Sequence, residues 1–205
     1  MHRNPRFHWK DRSEVLDFIR VTAFAHLFVE GEEGPLVAHV PVIVTRDGHL
    51  RFHLARANPV AKQLDGRVAL ASFAGPDAYI SPDWYGSDDQ VPTWNYVTAE
   101  AKGPVALLSQ TDLAGQIDDL SAEHEGRLLP KRPWTRAKMS PGLFDGMLKA
   151  IVGFEMTVES LIGTRKLGQN KGAEDIGGAV AGLRDCGRGD MADLMVQASS
   201  QEVPR

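Results

Sequence analysis

The sequence predicts an α+β domain built on a small, closed or half-closed and mainly antiparallel β-barrel with peripheral helices. Three observations predict it. Short apolar segments of strand-like pattern follow one another through the first half of the chain. Tight turns rich in Gly, Pro and Asp separate them, and only antiparallel neighbours can be joined so briefly. Helical periodicity is confined to a few inserted stretches, whereas a doubly wound sheet would need a helix after each strand.

Residues 11–20 (DRSEVLDFIR) set Val15, Leu16, Phe18 and Ile19 at helical spacing and open the chain with an amphipathic helix. The period then changes. Residues 22–29 and 36–45 are apolar and rich in β-formers, and the intervening EGEEGP reads as a hairpin turn. Strands follow at 49–55 and 67–74. A long strand over 92–109 is expected to bend at Gly103-Pro104, because proline is poorly accommodated inside a strand. Ser109 and Asp112 form a capping box for a helix over 111–126, and Ser140-Pro141 opens another over 141–150. Residues 151–159 return to strand. This makes about six strands. Two weak helical stretches, separated by Gly187 and Gly189, complete a tail. The expected organisation is a barrel domain over 1–172 and a helical tail over 173–205.

The 205 residues suit one domain with a small appendage. Lys and Arg number 23 against 27 Asp and Glu, a net charge of −4. A protein built to hold nucleic acid through its phosphates is usually basic, so bulk charge argues against a dedicated DNA binder. The single Cys186 excludes an intrachain disulfide and a cysteine-rich zinc site. No apolar stretch is long enough to span a bilayer, and the start MHRNPRFHWK has no apolar signal core. A cytoplasmic protein that does not engage membranes is expected.

The chemistry concentrates in two segments. In FHLARANPVAKQL (52–64) a strand ends near Ala55, and Asn58-Pro59 reads as the N-cap and first residue of a helix. Arg56 precedes that helix and Lys62 lies one turn inside it. A guanidinium, an amide cluster and an ammonium would converge there, which suits a phosphate monoester. The plain alternative is a capped helix with two solvated cations. The second segment, residues 78–97, holds five of the seven Trp and Tyr residues. Trp94 and Tyr96 alternate with Thr93 and Asn95, so one pair faces a core while Thr93 and Asn95 face a ligand or another sheet. Aromatic and amide groups could hold a planar heterocycle, although filling a barrel end requires only packing.

These segments carry a resemblance. VAHVPVIV (37–44), FHLARANP (52–59), YISPDWYG (79–86), VPTWNY (91–96), IVGFEMTVE (151–159) and KLGQNK (166–171) resemble the blocks of the PaiB family of FMN-binding negative transcriptional regulators. The resemblance spans nearly the whole chain. It implies an FMN-binding split β-barrel related to pyridoxamine-phosphate oxidases and flavin reductases, forming a homodimer with FMN at the interface. By that resemblance Arg56, Asn58 and Lys62 hold the FMN phosphate, and His39, Val40 and Pro41 lie near the flavin ring. Trp94 and Asn95 reach the cofactor from the same or the partner chain. Gly168 stands where the family often has Ser, which removes a hydroxyl.

Other candidates compete. GRLLPKRPWTRAKM (126–139) carries Arg127, Lys131, Arg132, Arg136 and Lys138 and no Asp or Glu, and Trp134 could stack on a base. This is the best candidate for DNA contact, and a solvated connection is the plainer reading. His49 and His53 share a strand face but stand about 13 Å apart, too far to share one metal. No metal site is expected. Related split barrels include haem-degrading proteins, and His39 or His26 could serve as an axial ligand. The phosphate pocket favours FMN, because haem carries carboxylates. An enzyme of this kind would be an FMN-dependent oxidoreductase whose flavin carries the chemistry.

Overall fold

The computed structural model describes residues 2–201. The last four residues of the expected tail, 202–205, lie outside the described residues. Eight strands form one sheet: β1 His8–Trp9, β2 Phe24–Gly31, β3 Gly34–Val44, β4 Leu50–Ala55, β5 Val68–Ile80, β6 Thr93–Leu107, β7 Ile151–Met156 and β8 Ser160–Lys166. Their order is β1-β8-β6-β5-β2-β3-β4-β7, and a further β6–β7 pairing closes the ring into a barrel. Five helices accompany them: α1 Arg12–Thr22, α2 Gln110–Gly126, α3 Leu143–Leu148, α4 Ala173–Asp185 and α5 Gly189–Gln201.

The chain divides into two compact units. One comprises Arg12–Phe73 and Glu100–Leu161. In it α1 buries Val15, Leu16 and Ile19, while Phe18 of the same predicted set is only half-buried. β2 and β3 form the expected hairpin, with Gly31 opposite Gly34 across a two-residue turn. The inward rows of β2, β3 and β4 alternate strictly (Leu27, Val40 and Phe52 among them) and are fully or nearly fully buried. Phe52 pairs with Phe154 of β7, ring centroids 5.8 Å apart. Ser109 Oγ accepts the Asp112 amide at 3.1 Å, so the capping box forms.

The second unit comprises the described residues up to Asp11, Ala74–Ala99 and those from Ile162 onward. Its helices α4 and α5 bury Leu183, Met191 and Met195.

The long strand expected over 92–109 forms as β6, which runs through Gly103-Pro104. Pro104 offers no N–H, but its carbonyl accepts the Thr157 amide at 3.0 Å. A side chain at position 103 would put its β-carbon 1.8 Å from the Thr157 carbonyl oxygen, so only glycine fits. Several other expectations change. The strand expected over 151–159 stops at Met156, and β8 follows as a separate strand. The helix expected over 141–150 begins only at Leu143, because Gly142 takes a left-handed conformation (φ 76°) just before it. The helix expected from Asn58-Pro59 is a single 3-10 turn, Val60–Lys62. The chain must reach the Gly66 turn and enter β5 at Val68, which leaves no length for an α-helix.

Candidate flavin site

Six of the eight expected site residues fall in the barrel unit. β4 ends at Ala55 and delivers Arg56 to the surface. The Arg56 guanidinium donates from Nε to the Lys149 carbonyl (2.9 Å) and from Nη2 to the Ile151 carbonyl (3.1 Å). These bonds fix its plane and leave Nη1 open. Asn58 Oδ1 accepts the Val60 amide at 2.9 Å and shapes the 3-10 turn that presents exposed Lys62. With no α-helix here, the helix-dipole part of the expected pocket is absent. What remains is a fixed guanidinium just after β4 and an exposed ammonium further along, at the end of the 3-10 turn. Among the described residues neither has a carboxylate within ion-pair distance. That donor set fits a phosphate.

His39, Val40 and Pro41 lie on β3. Val40 points into the core, fully buried, while His39 is exposed on the outer face. On that face His39 sits directly opposite His26 of β2, ring centroids 4.9 Å apart and edge to face. Phe24 pairs with Pro41, and Phe28 with Val37. Across β2, His26 pairs with Ser72 of β5 and Phe28 with Leu70. Phe24, Phe28, Val37 and Val68 are 40–52% exposed. The outer face of β2, β3 and β5 is thus an apolar patch with a histidine pair at its centre.

Trp94 and Asn95 lie in the other unit. Trp94 is 51% exposed, its indole N–H donates to Asp77 Oδ1 (2.8 Å), and Tyr79 stands edge-on to it at 5.9 Å. Asn95 is 2% exposed and donates to Met195 Sδ at 3.4 Å. The strand alternation therefore runs opposite to expectation. Asn95 joins Val97 and Ala99 on the inward face, and Trp94 stands outside.

Sequence reasoning missed two polar arrangements. In the barrel unit, fully buried Gln116 of α2 faces His53 Nδ1 at 3.4 Å, and Gln116 Oε1 has no partner. Burial lowers the His53 pKa. In the other unit, the KLGQNK segment brings Lys166 and Lys171 beside the 85–93 loop. Its Gly168, noted only as a lost hydroxyl, has φ +84°, a conformation that favours glycine. The basic loop 126–139 is largely neutralised. Arg127 pairs with Glu123, Lys131 with Glu125 and Arg136 with Asp118, all on or beside α2.

A closed antiparallel barrel with peripheral helices is the architecture of a split barrel. The comparisons agree. A family model described as "Putative FMN-binding domain" matches residues 1–160, and the chain belongs to that family. FMN is its cofactor. The chain is 29% identical over 197 residues to "Protease synthase and sporulation protein PAI 2" of Bacillus subtilis, covering 93% of this chain and 94% of that one. It is similar in fold to the FAD and haem binding protein of Mycobacterium smegmatis (TM-score 0.60, 18% identity, 83% of this chain and 78% of that one). It is also similar to the flavocytochrome Anf3 of Azotobacter vinelandii (TM-score 0.60, 14% identity, 80% and 72%). No helix among the described residues is long and apolar enough to cross a membrane.

Proposed function

We propose that the chain is a cytoplasmic, homodimeric FMN protein acting as a negative transcriptional regulator of the PaiB type. Arg56, Asn58 and Lys62 hold the FMN phosphate. His39 and Pro41 line the flavin ring on the outer face, where Val40 contributes backbone alone, and Trp94 and Asn95 are assigned to a cofactor only by the family resemblance. The observation that carries this reading is the Arg56 guanidinium, fixed by two carbonyls where β4 ends and, among the described residues, without an acid in ion-pair distance. A phosphate supplies the missing charge.

The apolar outer face of β2 and β3 supports the homodimer. Exposed apolar residues clustered on one sheet face mark an association surface, and a second copy presents the same face. The free thiol of Cys186 suits a reducing compartment. The regulatory role rests on the resemblance to the PaiB blocks alone; the Bacillus subtilis relative is named for protease synthase and sporulation. The ion pairs of loop 126–139 argue against that loop as the DNA contact.

Sedimentation velocity of the FMN-loaded protein tests the reading. Wild type should sediment as a dimer with one flavin per chain. Phe28→Asp should lower dimerisation and FMN retention together. A wild-type monomer that holds FMN fully would overturn the dimeric site. Sustained NAD(P)H-driven flavin turnover, without DNA binding, would favour the oxidoreductase alternative.

The His26–His39 pair favours one second reading, haem bound on the same face. Either imidazole, on an apolar surface, suits a single axial ligand of a porphyrin iron. The Mycobacterium smegmatis protein of similar fold is named for FAD and haem.

A further inference from the structure

We propose that Lys166 and Lys171 form a second anion site, separate from the Arg56 turn, which takes a small organic acid with an apolar body. Lys166 ends β8, and its ammonium donates to the Thr93 hydroxyl and, at 2.8 Å, to the Trp94 carbonyl. Lys171 donates to Gln90 Oε1 and lies 4.6 Å from the centroid of the Tyr85 ring. All these partners are neutral. Among the described residues neither lysine has a carboxylate within ion-pair distance.

The acid close enough to feel Lys171 is Asp175, and it is already engaged. Its Oδ1 accepts the Gly86 and Ser87 amides at 3.0 and 3.1 Å, and both its oxygens contact the Ser87 hydroxyl. Two ammonium groups thus share one ionised carboxylate, Asp175, which neutral donors hold, and an excess of positive charge remains. Burial, then the charge of Lys171, lowers the pKa of Lys166. A bound anion favours the charged ammonium and so opposes both effects.

The segment is held before any ligand arrives. Gln169 accepts the Leu167 amide and donates to the Arg165 carbonyl, both at 2.8 Å. The Lys171 amide bonds the Gly168 carbonyl at 2.9 Å. Such preorganisation reduces the entropy lost on binding. Lys171 also lines an open pocket of about 370 Å³, walled by Ala173, Ile176, Gly177, Val180 and Val196. Cationic at one end and mostly aliphatic along its walls, with Ser199 among them, the pocket fits an acid with a ring or short chain. Carboxylates and phosphate esters share the required chemistry.

Calorimetric titration of the FMN-saturated protein with benzoate, phenyl phosphate and benzyl alcohol tests this. Saturation with FMN keeps the probes off the Arg56 turn. At least one anion should bind and the alcohol should not. Tighter binding of phenyl phosphate assigns a phosphate ester, and tighter binding of benzoate a carboxylate. Lys171→Gln should weaken binding about tenfold or more, the value of a charged hydrogen bond. Lys171→Arg should retain it, and the flavin absorbance should be unchanged in both. If neither anion binds wild type, or Lys171→Gln binds as wild type does, the site does not exist.

Discussion

The Trp84 indole lies against Gly182 of α4 so closely that a β-carbon at 182 would stand 2.4 Å from the ring. One turn earlier, a β-carbon at Gly178 would meet the Trp84 carbonyl oxygen at 1.9 Å. Glycine normally weakens a helix by about 1 kcal/mol relative to alanine. Here overpacking, typically about 1–3 kcal/mol, opposes that gain. Gly178 is the stricter case, because the obstacle is backbone. Gly178→Ala should destabilise the protein by about 1 kcal/mol or more, and Gly182→Ala should do so to a smaller extent. Urea unfolding measures both. A stabilised Gly178→Ala would show that Trp84 does not dock on α4.

Asp175 ties α4 to the 86–87 turn. The Ser87 hydroxyl first, and then the Ser87 and Gly86 amides, hold its carboxyl below the usual value of 3.8. A depressed folded pKa stabilises the fold above the unfolded pKa, and that stability is lost as pH falls through the folded value. Thermal melts should therefore show a stability loss setting in below about pH 4 that is reduced in Asp175→Asn. Limited proteolysis of the 86–91 loop should rise in the same variant at neutral pH. Identical acid profiles for the two proteins would contradict the assignment.

Ser109 caps α2, which carries Gln116 and the acids that pair with loop 126–139. Ser109→Ala should cost about 1 kcal/mol in chemical denaturation. Lys131→Ala should cost less, because exposed ion pairs contribute little. The reverse ranking would mean that the loop, and not the cap, anchors the helix.

The histidine pair separates the two ligand readings. If haem binds on the β2–β3 face, a Soret band should form in wild type and be lost in His39→Ala or His26→Ala, with FMN uptake retained in His26→Ala. A Soret band of equal strength in both variants would remove the pair as ligands.

The sequence pattern located the barrel strands where periodicity and turn chemistry agree. The Glu32-Glu33 hairpin, β4 and the Ser109 cap stand as read. β1 has only two residues, and β8 (SLIGTRK) mixes polar and apolar positions, so neither carries a period of its own. Asn58-Pro59 has the local chemistry of a helix start, but a nearby glycine turn and the next strand limit it to one 3-10 turn. The burial of Asn95 was not legible either. Strand alternation gives two faces, and the inward one is covered by distant parts of the chain such as Met195, a hundred residues away, to which Asn95 bonds. The lysines of KLGQNK were visible, but their convergence depends on the 85–93 loop folding back toward them.

The central claim is that the turn after β4 holds the FMN phosphate. Fluorescence-quenching titrations of the deflavinated protein with FMN and with riboflavin test it most directly, in wild type, Arg56→Ala and Lys62→Ala. Wild type should prefer FMN strongly. Each variant should lose about 1.5–3 kcal/mol of FMN affinity, the value of a charged hydrogen bond, while riboflavin affinity stays unchanged. Folded variants that bind FMN as tightly as wild type would contradict the claim.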